Sequence, residues 1–208
     1  MSNTVTAGSC GFGTARAGLY GADGSRKYLN AAERARVFAA IERLEPRKAL
    51  FLLMLSWTGG RVSEILAVTP MSFQVEQSVA SLITLKRRRL VVREVPLPPK
   101  LTRSLEEFFD LRAAQRDQEA AQRRLWQWRR ETAWKLVKRV MAEADVRGRP
   151  ACPRGMRHGF AVNSLQAGVP INLVQRWMGH ARMETTAIYA EVCGPEERAF
   201  AERIWMTG

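Results

Sequence analysis

The chain has 208 residues, enough for one or two domains, and its 46% hydrophobic and 25% charged residues exclude wholesale disorder. Lys and Arg number 33 against 20 Asp and Glu, a net charge of +13 that points to a polyanionic partner, either nucleic acid or an anionic membrane surface. The longest apolar run, seven residues at 49–55, is far short of a membrane span, which favours nucleic acid.

Residues 1–28 are rich in Gly, Ala, Ser and Thr and read as a flexible N-terminal arm. Helical periodicity begins after Asn30, which forms a capping-box pattern with Glu33 and precedes the stripe Val37, Ala40, Ile41, Leu44. Pro46 suits the first turn of a second helix. That helix is apolar nearly all round through Leu55, so it belongs inside, and Gly59-Gly60 ends it. A short third helix is expected over 61–68. Runs of Val, Ile and Leu at 81–85 and 90–97 flank Lys86-Arg87-Arg88-Arg89 and predict a hairpin with a basic turn. Pro98-Pro99 breaks it. Helices are expected from Leu101 onward and at about 131–144, 154–167, 171–178, 183–191 and 195–206. The sum is an α+β domain over 29–208, mostly helical with one small antiparallel sheet.

Charge is unevenly spread. Residues 112–139 carry nine basic and three acidic side chains, with Trp126, Trp128 and Trp134 interleaved. Basic groups among aromatics suit a nucleic-acid backbone, so Arg123, Arg124, Arg129 and Arg130 are expected DNA contacts, as are Arg87, Arg88 and Arg89 in the hairpin turn. A solvated helix face with its tryptophans packed inward would give the same pattern. Two histidines and three cysteines (Cys10, Cys152, Cys193) without ligand spacing predict no metal site. Neither GxGxxG nor GxxxxGK[ST] occurs, so no nucleotide cofactor is expected. No signal-peptide pattern is visible at the N-terminus, and the thiols suit a reducing compartment.

Three fragments carry candidate chemistry. In Pro153-Arg154-Gly155-Met156-Arg157-His158, a helix starting at Pro153 puts Arg154, Arg157 and His158 on neighbouring positions of one face. Two arginines near a positive helix N-terminus either face solvent or share an anion such as phosphate. Arg61 is followed at i+3 by Glu64, whose carboxylate can fix a guanidinium in one orientation or form an ordinary surface pair. Tyr189 lies nine residues after His180 and 32 after Arg157.

In order along the chain, "WTGGRVSEIL", "LITLKRRRLVVREVPLP" and "PRGMRHGFAVNSLQAGVPINLVQRWMGHARMETTAIYAEV" resemble the tyrosine recombinase (phage integrase) family. The first resembles its TGxRxSEL segment, the second its lysine-bearing hairpin, and the third its HxLRH…LGH…TTxxY box. By this resemblance Arg61 and Arg157 are paired catalytic arginines, Lys86 the hairpin lysine and general acid, His180 a late hydrogen-bond donor and Tyr189 the nucleophile. The position three before Arg157 usually carries His or Lys in the family. Here it is Arg154, which can donate to phosphate but cannot exchange a proton near neutral pH. His158 is assigned to packing or an internal hydrogen bond.

The resemblance implies site-specific recombination of double-stranded DNA through a covalent 3′-phosphotyrosyl intermediate, without ATP or metal, in the integration, excision or inversion of an element. It implies a homotetramer on paired DNA sites, with room for an accessory recombinase or DNA-bending protein, in a bacterial, cytoplasmic and nucleoid-associated setting. Fewer than 30 residues precede the first expected helix, so no N-terminal core-binding domain is expected and the size resembles that of fimbrial-switch invertases. Two rival readings share the residues: type IB topoisomerase-like relaxation, and a catalytically weak DNA-binding paralogue. The helix at 195–206 is expected to dock on a neighbouring protomer.

Overall fold

The structure, a computed structural model, describes residues 18–86 and 89–190, together with Trp205. Among these are nine α-helices and a three-stranded antiparallel sheet in the order β1-β2-β3, the expected α+β class.

The first helix, α1 (Ala31–Glu42), starts at the expected capping box: the Glu33 N–H donates to Asn30 Oδ1 at 2.8 Å and the Asn30 N–H to Glu33 Oε2 at 3.0 Å. Next, α2 (Pro46–Thr58) buries Leu50, Phe51, Leu52, Met54 and Leu55, as an all-round apolar helix must. It stops at Gly59, whose φ of +59° is left-handed. A side chain there would also strike the Phe160 ring, with an added Cβ only 2.4 Å from Cδ1. One turn of helix, α3 (Val62–Ile65), follows.

The sheet comprises β1 (Phe73–Gln74), β2 (Val79–Lys86) and β3 (Arg89–Pro96), with Leu82 opposite Arg93 and Lys86 opposite Arg89. The expected hairpin is therefore present and one to two residues longer on several sides, while β1 escapes detection because two residues show no periodicity. On the hairpin, Ala80, Leu82, Thr84, Arg93 and Val95 point inward and Ile83 and Val92 outward, the period of two of a half-buried sheet. Pro98 and Pro99 end the strand and also open α4 (Pro99–Phe109), Pro99 taking the first helical position.

The basic segment follows the second of its two readings in part. It contains α5 (Leu111–Arg116), then a short 3-10 turn, then α6 (Arg130–Glu143), so its centre is loop. Trp126 is fully buried against Phe51 and Phe109, and Trp128 packs on the same core; only Trp134 is exposed. Two of the three interleaved tryptophans are thus core residues rather than a stacking surface for bases.

The C-terminal half carries α7 (Pro153–Gln166), α8 (Ile171–Met178) and α9 (Glu184–Ala187). The last is shorter than the expected 183–191. The expected helix at 195–206 lies outside the described residues apart from Trp205.

The apolar residues form two clusters. The larger is built from α1, α2, the sheet, α4 and α6. The smaller contains Leu19, Tyr28, Phe160, Val162, Val174, Met178 and Tyr189. Residues 18–28, placed in the arm by composition, therefore contribute to a core: Tyr20 bridges Arg26 across a tight turn, and Leu19 and Tyr28 supply the apolar surface. The two large side chains outweigh the small, polar residues around them.

Candidate active site

The site lies where α2, the hairpin, α7 and α8 meet. Arg61 follows the Gly59-Gly60 turn. Its backbone N–H donates to Glu64 Oε2 at 2.8 Å and its Nη1 to Glu64 Oε1 at 2.7 Å, so one carboxylate caps the short helix and orients the guanidinium. Arg61 remains partly exposed, while Glu64 is buried. Two sheet residues complete this cluster. Arg93 Nη2 donates to Glu64 Oε2 at 2.6 Å, Arg93 Nη1 to Thr84 Oγ1 at 2.6 Å, and the Thr84 hydroxyl to Glu64 Oε1 at 2.7 Å. Arg93 Nε reaches the Trp177 carbonyl on α8 at 2.6 Å.

The spacing of Arg61 and Glu64 is legible in the sequence; the role of Arg93 is not. Its inward position follows from alternation with Val95 and Leu97, the one signal that could have found it.

Burial pushes the Glu64 carboxyl up, but the hydrogen bond and charge of Arg93, the Arg61 N–H and the Thr84 hydroxyl outweigh it and bring it to about 2. The folded value lies below the ordinary 4.5, so the pair's stabilisation is fully present above pH 4.5 and is lost as pH falls toward 2. Glu64→Gln should cost about 3–5 kcal/mol in urea unfolding, because it leaves Arg93 buried without a counter-charge. The same variant should lose most of the acid sensitivity between pH 4.5 and 2. An unchanged unfolding midpoint would show that the network is not structural.

Arg157 is held by backbone carbonyls. Its Nη1 donates to the Gly59 carbonyl and its Nη2 to the Met178 carbonyl, each at 2.5 Å. These oxygens lie at the C-terminal ends of α2 and α8, where helices leave carbonyls unpaired, and Gly179 (φ +62°) turns the chain away after the second. Burial, with Arg61 and Arg93 nearby, brings the Arg157 guanidinium down to about 10, still cationic at neutral pH.

Tyr189 is 1% exposed and packs in the smaller core. Its hydroxyl lies 2.8 Å from His158 Nδ1. The His180 ring runs nearly parallel to it, 7° between planes and 6.2 Å between centroids, and His180 Nδ1 pairs with the Thr186 hydroxyl at 3.0 Å. Burial pushes the Tyr189 phenol up to about 12, against the pull of Arg157 and Arg61. Burial, then Arg154, Arg157 and Lys27, pushes the His158 imidazole down to about 4. The internal hydrogen bond expected of His158 is therefore present, and its partner is the candidate nucleophile.

These side chains line a cleft of about 1000 Å³. Among the described residues, six basic side chains face it (Lys27, Arg61, Arg130, Arg154, Arg157, Arg182) and no Asp or Glu does. Arg61, Arg154, Arg157, His180 and Tyr189 are thus brought together, and Arg130 and Trp134 join them from α6. Arg123 and Arg124 instead border a separate hollow of about 290 Å³ with Arg47 and Phe109, and Arg123 is paired with Glu119. Arg129 is exposed at the start of α6. Lys86 ends β2 and Arg89 begins β3; their side chains, with Arg87 and Arg88, lie outside what is described. Among the described residues, no three His, Cys, Asp or Glu converge as a metal site, and no helix is long and apolar enough to cross a membrane.

Residues 27–193 match the model of the phage integrase family. The chain belongs to that family. This family member is 29% identical over 158 residues to tyrosine recombinase XerD of Haemophilus ducreyi, covering 73% of this chain and 52% of the relative. It is 28% identical over 169 residues to tyrosine recombinase XerA of Thermococcus onnurineus, covering 80% and 58%. The chain spans about half the length of the curated relatives it matches. The fold of this family member is that of XerH site-specific recombinase bound to palindromic difH substrate in a post-cleavage complex, with TM-score 0.69, 22% identity, and 86% and 53% of the two chains covered. It also matches the catalytic domain of bacteriophage HP1 integrase, with TM-score 0.59, 19% identity, and 79% and 86% covered. The hairpin, the arginine pair and Tyr189 thus sit on an integrase catalytic-domain fold.

Proposed function

We propose that this chain cleaves and rejoins DNA strands at specific sites, through a covalent 3′-phosphotyrosyl bond to Tyr189. The carrying observation is the phenol of Tyr189 beside two arginines in a cleft whose charged lining, among the described residues, is basic. A phosphodiester is an anion, and its pentavalent transition state concentrates more charge on the non-bridging oxygens. Arg61, oriented by Glu64, and Arg157, gripped by two backbone carbonyls, are preorganised donors for that charge. Arg154, exposed at the start of α7, adds a further phosphate donor, and His180 a hydrogen bond.

Lys86, at the hairpin end, protonates the leaving 5′ oxygen. The phosphotyrosyl ester conserves the energy of the broken bond, so rejoining needs no nucleotide. Because Tyr189 is 1% exposed, reaching a phosphate requires displacement of the side chains covering it.

The natural substrate in this reading is double-stranded DNA of an element that is integrated, excised or inverted, and two sites are joined by four protomers. Cytoplasm and nucleoid are the setting. Arg87, Arg88, Arg89, Arg129 and Arg130 are further DNA contacts, Arg130 within the cleft; Arg123 and Arg124, which border a separate hollow, contact DNA only beyond the cleft.

The test uses a duplex bearing a site that the protein itself selects from a random-sequence pool, nicked beside the cleavage position so that the released strand diffuses away. Denaturing gels should show a protein–DNA adduct, and peptide mapping should place it on Tyr189. No adduct, or one on another residue, overturns the reading.

Arg154→His and Arg154→Lys should keep the rate of adduct formation on this duplex or raise it, since both restore a proton-exchanging group. A loss of about a hundredfold in both would show a pocket built around arginine.

A further inference from the structure

Resting on the reading above, we infer that His158 is the base that receives the phenolic proton of Tyr189. The nucleophile must lose a proton as its oxygen bonds to phosphorus, and the cleft offers few acceptors. Among the described residues its six charged side chains are Lys and Arg, which carry no lone pair when protonated, and none is a carboxylate. Arg154 occupies the helical position one turn before His158 and cannot take a proton near neutral pH. Of the two imidazoles at the site, His180 runs parallel to the phenol ring and turns Nδ1 to Thr186. His158 points Nδ1 at the phenolic oxygen itself, 2.8 Å away, which is the reach a general base needs.

The electrostatics keep His158 ready. Among the described residues the groups facing it are Arg154 and Arg157 on its own helix, Lys27 from the segment before α1 and the Tyr189 hydroxyl. Burial and these cations hold the imidazole neutral at pH 7, so Nδ1 can be bare with the proton on Nε2. An incoming phosphate reverses the sign of that field and raises the basicity of the ring at the moment it is needed.

The step balances. Tyr189 Oη bonds to phosphorus as its proton passes to His158 Nδ1. The bond from phosphorus to the 5′ oxygen breaks, and that oxygen takes a proton from Lys86. Rejoining returns both protons and leaves neutral imidazole, neutral phenol and lysine ammonium.

The test is His158→Asn on the nicked duplex described above. The Asn amide can keep a hydrogen bond near the Nδ1 position but cannot accept a proton. Adduct formation should slow by about 10²-fold at pH 7 with DNA binding retained. Between pH 7 and 9 the variant's rate should rise about tenfold per pH unit, as the phenol must ionise unaided, while the unmodified protein stays flat. A 5′-bridging phosphorothiolate, whose sulfur leaves without a proton, should rescue Lys86→Ala and not His158→Asn. A variant with wild-type rate and a flat profile, or one rescued by sulfur, overturns the assignment.

A second measurement leaves residue 158 intact. With trifluorotyrosine at position 189, the rate should change little if a base is present. A rate that tracks the ionised phenol fraction overturns it. Failure of the parent reading is separable, because there the unmodified protein itself forms no adduct on Tyr189.

Discussion

Tyr189→Phe should bind the selected duplex nearly as well as the unmodified chain and form no covalent adduct at all. The substitution removes one oxygen from a side chain whose ring is packed among Phe160, Val174 and Met178, so the smaller core keeps its shape. What is lost is the atom that would bond to phosphorus, together with the 2.8 Å contact to His158. Gel shift measures the first property and denaturing gels the second. An adduct persisting in the variant would place the nucleophile elsewhere and undo the functional reading.

Arg61→Ala and Arg157→Ala should each slow cleavage by about 10²–10³-fold while binding changes far less, because the donors act most strongly on charge that exists only in the transition state. The two variants should differ in stability. Removing the Arg61 side chain leaves Glu64 still paired with Arg93 and Thr84, so folding is little affected. Removing Arg157 strands the Gly59 and Met178 carbonyls in the interior, and each unpartnered buried acceptor costs about 1–3 kcal/mol. Arg157→Ala should therefore lower the urea midpoint as well as the rate. Near-normal cleavage by both variants would remove the phosphate clamp from the mechanism.

Local signals made much of this legible. The capping box at Asn30, the proline and glycine bounding α2, the hairpin period and the stripe of α7 are written within a few residues of one another, and each produced its element. Long-range pairings were not. Whether Trp126 stacks on bases or fills a core depends on Phe51 and Phe109, which are distant in sequence. Arg93 looks like one more basic residue of a basic hairpin until its strand position turns it toward Glu64 on another element. His158 could be read as a packing residue because nothing local says that Tyr189, 31 residues on, returns its oxygen to that ring.

The seat of Arg157 has a consequence for heat. One carbonyl it grips belongs to α2 in the larger core, and the other to α8 in the smaller one. The guanidinium is in effect a clasp between two packed halves, and its geometry survives only while they remain seated on each other. Thermal inactivation should then follow the parting of the halves rather than the melting of either one. Activity should fade while Trp126, deep in the larger half, still fluoresces as folded.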